Sequence, residues 1–175
     1  MSKRTGAAVE IGGRVGEPET FEGFFDRSYE PVLRAMFLVA GGRLEAEEVT
    51  QEAFVRVYER WEAIRDRPNP AGYAYRVALN VHRSRSRRLR LAARRIVQPQ
   101  PSDPLDAVEA RDELRIALAN LPWGQRAALV LVEWLEMTDV EAADVLGITP
   151  GAVRVRLSRA RKALRREPQK GNDDD

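Results

Sequence analysis

Apolar positions in this chain recur at three- and four-residue steps from Phe21 almost to Leu164, and nowhere do they alternate over the length of a strand. Phe21, Phe25, Val32, Met36 and Val39 mark a first helix that begins after Thr20 and stops at Gly41-Gly42. Pro31 lies inside this pattern and is expected to kink or divide it. Val49, Phe54, Val57, Trp61 and Ile64 form the stripe of a second helix, whose other faces carry Glu45, Glu47, Glu48, Glu52, Glu59 and Glu62. In "RPNPAGY", Asn69 can cap and Pro70 can take the first helical position, so a third helix runs from Pro70 to about Arg88. Asp103-Pro104 starts a fourth helix by the same logic, with Leu114, Ala117, Leu118 and Leu121 as its apolar face. Pro122 breaks it and opens a fifth, carrying Ala128, Leu131, Val132 and Leu135. Thr138 and Glu141 spell T-x-x-E, a capping box for a sixth helix over Asp139 to Leu146, with Gly147 where a C-cap is needed. Thr149-Pro150 then caps a seventh, which continues to about Arg166.

The implied fold class is all-α, with two small helical domains joined by a flexible linker. Residues 1–18 are Gly-rich without periodicity and are expected to be a disordered lead; 19–90 form the first domain. Residues 91–103, within the Pro-rich stretch "IVQPQPSDPLD", form the linker; 104–166 form the second domain and 167–175 a polar tail.

The 43% apolar fraction of the 175 residues is enough for buried cores. The absence of Cys excludes disulfides and thiolate metal sites, and a single His, His82, makes a histidine-based metal site or catalytic relay improbable. His82 itself is read as an incidental surface residue. The N-terminal segment has no apolar signal core and no run approaches ~18 apolar residues, so no membrane insertion is expected and the placement is cytoplasmic. There is no carboxylate cluster at metal spacing, no nucleophile with a base and no Gly-rich phosphate loop, which argues against an enzyme and against any cofactor.

The net charge of +2 hides a segregation that matters more. No Asp or Glu occurs from Arg67 to Ser102, nor from Val145 to Arg166. The sixth and seventh helices are joined by Gly147-Ile148-Thr149, as in a helix-turn-helix. Val153, Leu157, Ala160 and Leu164 form the inner face of the seventh and are expected to pack on Val140, Ala143 and Leu146. Gly151, Arg154, Val155, Ser158, Arg161 and Lys162 are left outward, with a charge that finds no partner in its own stretch. Arg can pair bidentately with guanine in the major groove, and further Arg and Lys can neutralise phosphates. A solvated basic helix is the plainer reading; the cap, turn and inner face favour DNA. In the third helix Arg76, Asn80, Arg83 and Arg87 share one stripe beside Tyr73 and Tyr75, a combination suited to single-stranded nucleic acid. Core packing is favoured for Tyr73, whereas Tyr75 fits either role. The acidic second helix would repel DNA; it is either a solvated face or a docking surface for a basic protein.

Three stretches resemble the sigma-70 family. "EEVTQEAFVRVYERW" resembles the acidic helix of its region 2, "NPAGYAYRVALNVHRSRSRR" the promoter-melting helix that follows, and the stretch from "LPWGQRAALVLVEW" to "GAVRVRLSRARKAL" the helix-turn-helix of region 4. With only these two domains, the chain resembles an extracytoplasmic-function (ECF) sigma factor of the actinobacterial SigE-like group. The resemblance implies a promoter-specificity subunit that binds core RNA polymerase and directs minus-35 and minus-10 recognition, promoter melting and initiation. It implies that Glu48, Gln51 and Glu52 dock on the β′ clamp helices, with the β flap as a second polymerase contact. Tyr75, Arg76, Asn80, Arg83 and Arg87 would meet minus-10 DNA. Thr149, Gly151, Arg154, Arg156, Ser158, Arg159, Arg161 and Lys162 would meet the minus-35 element. The family commonly carries an anti-sigma partner, and holoenzyme is nucleoid-associated. Glu48 stands where many relatives carry Asp, and Tyr73 where many carry Trp. The competing readings are a stand-alone helix-turn-helix regulator, which has no need of the acidic helix, and a nucleic-acid-processing enzyme.

Overall fold

The computed structural model describes residues 19–93 and 109–166. Helix α1 spans Phe21–Ala40. The Thr20 hydroxyl accepts from the Gly23 N–H at 3.2 Å, and Gly41, at φ 81°, donates its N–H to the Phe37 carbonyl. The helix runs on through Pro31 and is not divided. Proline removes one backbone donor, while Phe24 on one side and Val32, Ala35, Met36 and Val39 on the other are buried in the same core, which holds both halves in line.

The second stripe is shared by two helices, α2 (Arg43–Tyr58) and a short α3 (Trp61–Ile64), because Arg60 leaves helical geometry at φ −118° and ψ 12°. All five stripe residues, Val49, Phe54, Val57, Trp61 and Ile64, are nevertheless buried. The Trp61 ring lies 4.9 Å from Phe24 and 5.8 Å from Phe21, inside an aromatic cluster that includes Phe25, Tyr29 and Phe54. Helix α4 spans Pro70–Ala93 and so continues past Arg88, since nothing in "LRLAA" breaks a helix. Asn69 Oδ1 accepts from the Gly72 N–H at 2.7 Å. Helices α1, α2 and α4 pack together as one module.

The second module begins with α5 (Glu109–Ala119). The start expected at Asp103-Pro104, the linker, the lead and the tail lie outside the described residues. Leu118 and Leu121 are buried but Leu114 is exposed, so the apolar face of α5 is narrower than its spacing suggests. The expected fifth helix is α6 (Trp123–Leu129) followed by a π-helical turn over Val130–Trp134, closed by the Leu135 N–H on the Val130 carbonyl at 3.0 Å. The extra residue in that turn rotates the chain. Val130 and Leu131 become buried beside Ala127 and Ala128, while Val132 and Leu135 are only partly covered.

Helices α7 (Asp139–Leu146) and α8 (Pro150–Arg166) follow. Thr138 and Glu141 make both bonds of the capping box, and Gly147 adopts φ 65°. Thr149 Oγ1 accepts from the Ala152 N–H at 3.2 Å. The inner face of α8 is Val153, Leu157 and Ala160, with Leu164 partly covered. Ala142, Ala143 and Val145 of α7 are buried in the same core, α7 packing on both α8 and α4, whereas Val140, expected inward, lies on the face of α7 that neither covers and is exposed.

The two modules are packed against each other, α1 on α5, α6 and the π turn, and α4 on α7. The half-buried Arg126 guanidinium donates to the Val39 carbonyl at 2.8 Å, and on its own side to Ala119 and Leu121 at 2.9 and 3.0 Å. Arg115 donates to the Gly41 carbonyl at 2.8 Å. Both arginines therefore satisfy carbonyls at the C-terminal end of α1, where the helix dipole favours a cation.

Candidate nucleic-acid interface

The α7-turn-α8 unit exposes Arg154, Val155, Ser158, Arg159, Arg161 and Lys162 along α8. These outward positions follow from burying every third or fourth residue of a helix against α6 and α7. Arg156 is different: its guanidinium lies over Gly124, where an added Cβ would come within 3.1 Å of Nη1. That residue is half-buried against α6 and is not free to reach a base in this arrangement. Gly151 and Thr149 sit at the helix start, where exposed backbone N–H groups suit a phosphate.

The expectation that α8's charge lacks internal partners needs correcting. Arg154 Nη1 lies 3.4 Å from Asp139 Oδ2, and Arg161 pairs with Glu133. Both acids lie outside the acid-free stretch and are brought in by the fold. Both arginines and Glu133 are about half or more exposed and Asp139 is about one-third exposed, so the pairs are weak and exchangeable for phosphate. Arg159 and Lys162 make no ion pair among the described residues.

On α4, Asn80, Arg83 and Arg87 are exposed and Arg76 is half-exposed. This stripe faces the second module. Arg76 Nη2 lies 3.0 Å from Asp144 Oδ1 and also donates to the Asp144 carbonyl, at the C-terminal end of α7. The Arg83 guanidinium lies 5.5 Å from the Trp123 ring centre. Arg83, Ser86, Arg87, Arg90, Leu91 and Trp123 line a groove of about 340 Å³ between the modules.

Of the two tyrosines, Tyr75 is the core residue, only 7% exposed, and burial pushes its hydroxyl pKa up to about 12. A ring so enclosed has no face on which a base could stack. Tyr73 is half-buried, with the Arg67 guanidinium 5.6 Å from its ring centre. His82 is buried as well and not an incidental surface residue. Position 82 lies on the α4 face that meets α2, which charge alone did not reveal.

The α2 face that carries Glu48 and Gln51 is exposed, with Glu52 at its edge. Leu44, Glu48, Gln51, Val55 and Tyr58 follow one another at helical steps, and Leu44 and Val55 are 71% and 58% exposed. Large apolar side chains flanking carboxylates suit a protein partner better than water. The hydrophobic spacing that marks the buried stripe of α2 also leaves this second row, which the reading of the acidic residues passed over.

No helix among the described residues is long and apolar enough to cross a membrane. Residues 24–108 match the Sigma-70 region 2 family, and residues 111–164 match Sigma-70, region 4. The chain is 31% identical to the RNA polymerase sigma-E factor of Streptomyces coelicolor over 158 residues, covering 87% of this chain and 88% of that protein. It is 30% identical to the ECF RNA polymerase sigma factor SigL of Mycobacterium tuberculosis over 173 residues, 94% of each. Among solved structures, the sigma factor RpoE bound to the anti-sigma factor NepR from Bartonella quintana shares the fold, with a TM-score of 0.71 at 18% identity over 83% of this chain and 94% of that one. CnrH in complex with the cytosolic domain of CnrY matches with a TM-score of 0.61 at 26% identity, over 83% and 84%.

Proposed function

The chain belongs to the sigma-70 family of RNA polymerase sigma factors, in its two-domain ECF form, and on that premise we propose how its surfaces divide the work. A sigma factor binds core RNA polymerase and directs it to promoters; it does so by binding and positioning, and no chemical step is assigned to this chain. Glu48, Gln51 and Glu52 dock on the β′ clamp helices, with Leu44 and Val55 supplying apolar contact around them. Arg76, Asn80, Arg83 and Arg87 hold and read the minus-10 strand once it is unpaired; Tyr75 is left out, as a buried core ring. Arg154, Ser158, Arg159, Arg161 and Lys162 meet the minus-35 element, with Thr149 and Gly151 at the phosphate beside the helix start. Val155, 49% exposed between Arg154 and Ser158, offers an isopropyl group suited to a thymine methyl. Arg156 serves by packing on α6. The protein works in the cytoplasm, on the nucleoid when part of holoenzyme.

The observation that carries this reading is the segregation of surfaces: an acidic and apolar face on α2, and basic faces on α4 and α8 that the fold places in separate modules. A stand-alone repressor needs only α8. An anti-sigma partner of the kind bound to RpoE would use the same modules. Run-off transcription with core polymerase on a panel of promoters, with and without this protein, tests the reading. Promoter-specific transcripts that depend on the protein are expected; specific DNA binding without any transcript would favour the repressor.

A further inference from the structure

One arginine of α4 turns away from the nucleic-acid stripe. Arg85 lies between the stripe residues Arg83 and Arg87 in sequence, yet its side chain reaches across to α2. Its Nη2 pairs with Glu48 Oε2, its Nη1 lies 3.5 Å from Glu52 Oε2, and its Nε lies 3.5 Å from Glu45 Oε1. A guanidinium presents five donors in a planar fork, so one side chain can serve three carboxylates spaced along a helix face. Glu45, Glu48 and Glu52 sit at successive turns of α2, where like charges repel; Glu52 Oε1 also receives Arg56 Nη2 at 2.5 Å and Glu45 Oε1 lies 3.5 Å from His82 Nδ1, whereas Arg85 is the one cation that Glu48 meets among the described residues. Glu48 and Glu52 are also two of the three residues assigned above to the clamp helices.

We propose that Arg85 is an intramolecular stand-in for a cationic side chain of the polymerase: it occupies Glu48 and Glu52 in the free protein and gives them up when α2 docks. The inference rests on the docking role of Glu48 and Glu52. It follows from the same chemistry, since a surface built to receive basic groups from a partner already holds one of its own. Holding it keeps two docking carboxylates in place and lowers the negative potential of the face in free sigma. Engagement must then exchange one ion pair for another, so the affinity for core is lower than the bare carboxylates would give, by the weight of the occupied state. The pair is partly solvated, which keeps it exchangeable.

The experiment titrates labelled full-length protein with core polymerase at low and moderate salt. Arg85→Gln should bind core about fivefold more tightly at low salt, the size expected for freeing a partly exposed pair. Arg88→Gln removes the same charge from the same helix, but Arg88 reaches Ser84 Oγ at 3.3 Å and not α2, so its affinity should stay at the wild-type value. Combining Arg85→Gln with Glu48→Gln and Glu52→Gln should abolish the gain. Circular dichroism melting checks that each variant folds; if Arg85→Gln does not, Arg85→Lys keeps the charge without the fork and should give a smaller gain of the same sign. Arg85 variants that bind no better than wild type, while Glu48→Gln and Glu52→Gln bind worse, overturn the stand-in and leave the docking role intact. A gain that persists in the combined variant also overturns it. Glu48→Gln and Glu52→Gln binding as tightly as wild type overturn the docking role and the stand-in with it.

Discussion

His82 is the single histidine of the chain, and the fold encloses it. Its Nδ1 lies 3.5 Å from Glu45 Oε1, and neither atom has a hydrogen-bond partner among the described residues. Burial holds the imidazole below its ordinary pKa of 6.5; the Glu45 carboxylate works against this, and Arg126 and Arg85 add to the lowering. A lowered histidine pKa means that the unfolded chain takes up the proton first. Stability should therefore decline as pH falls below about 6.5 and level off once the folded pKa is passed. Urea midpoints at pH 7.5 and pH 5.5 test this, and His82→Gln should remove most of the difference. On α8, two exposed cations are assigned different work. Arg154→Ala should cost roughly 1–3 kcal/mol and relax preference at one position of the minus-35 element. Lys162→Ala should weaken all sequences alike and flatten the salt dependence by about one unit of slope. Holoenzyme binding to matched and scrambled elements across a salt series separates the two.

At the scale of elements, α7 depends on its capping box more than a longer helix would. It has eight residues, and the Thr138 hydroxyl and N–H both bond the Glu141 carboxylate, which lowers the Glu141 pKa. Thr138→Ala should cost about 1 kcal/mol of stability, read as a lower melting temperature, and should weaken minus-35 binding because α7 supports α8. Helix α2 makes the complementary case. Its buried stripe and its exposed row are separate faces, so Gln51→Arg, at an exposed position with no ion pair among the described residues, should leave the melting temperature near the wild-type value while strongly reducing capture of core polymerase, since like charges at an interface can cost several kcal/mol. Capture that survives the substitution would remove this face from the interface.

For the molecule as a whole, the packed arrangement of the two modules and the promoter impose opposite demands. Arg76, of the stripe proposed for the minus-10 strand, is tied to Asp144 at the end of α7. The minus-10 and minus-35 elements lie about 25 base pairs apart, or about 85 Å at 3.4 Å per pair. Modules in contact cannot serve both, so promoter binding requires them to part. Arg126 is one tie between them, donating to the Val39 carbonyl across the contact and to Ala119 and Leu121 on its own side, and Arg115 on the Gly41 carbonyl is another. Arg126→Met should remove the one charge-assisted bond that it makes across the contact, to Val39, of about 1.5–3 kcal/mol, and enlarge the radius of gyration measured by small-angle X-ray scattering. An unchanged radius would show that α1 and the π turn hold the modules together without it.

The sequence by itself determined the succession of helices and those of their ends that carry a cap, though not the break between α2 and α3 or the end of α4. Thr20, Asn69, Thr138 and Thr149 cap where their spacing predicts, and Gly41 and Gly147 take positive φ where a helix must stop. These signals act within one helical turn, so a window of a few residues contains both partners. The family resemblance was legible for a related reason, because the outward pattern of α8 is fixed by its inner one. Only the tertiary structure decided which way Tyr75, Val140 and His82 face, since each lies at the edge of an apolar stripe where the neighbouring helix determines burial. It alone placed the π turn, which answers to packing and not to propensity. It alone supplied Glu133 and Asp139 to α8, Arg85 to α2 and Arg126 to α1. Charge partners far apart in the chain meet only when helices cross, and no local spacing encodes that crossing.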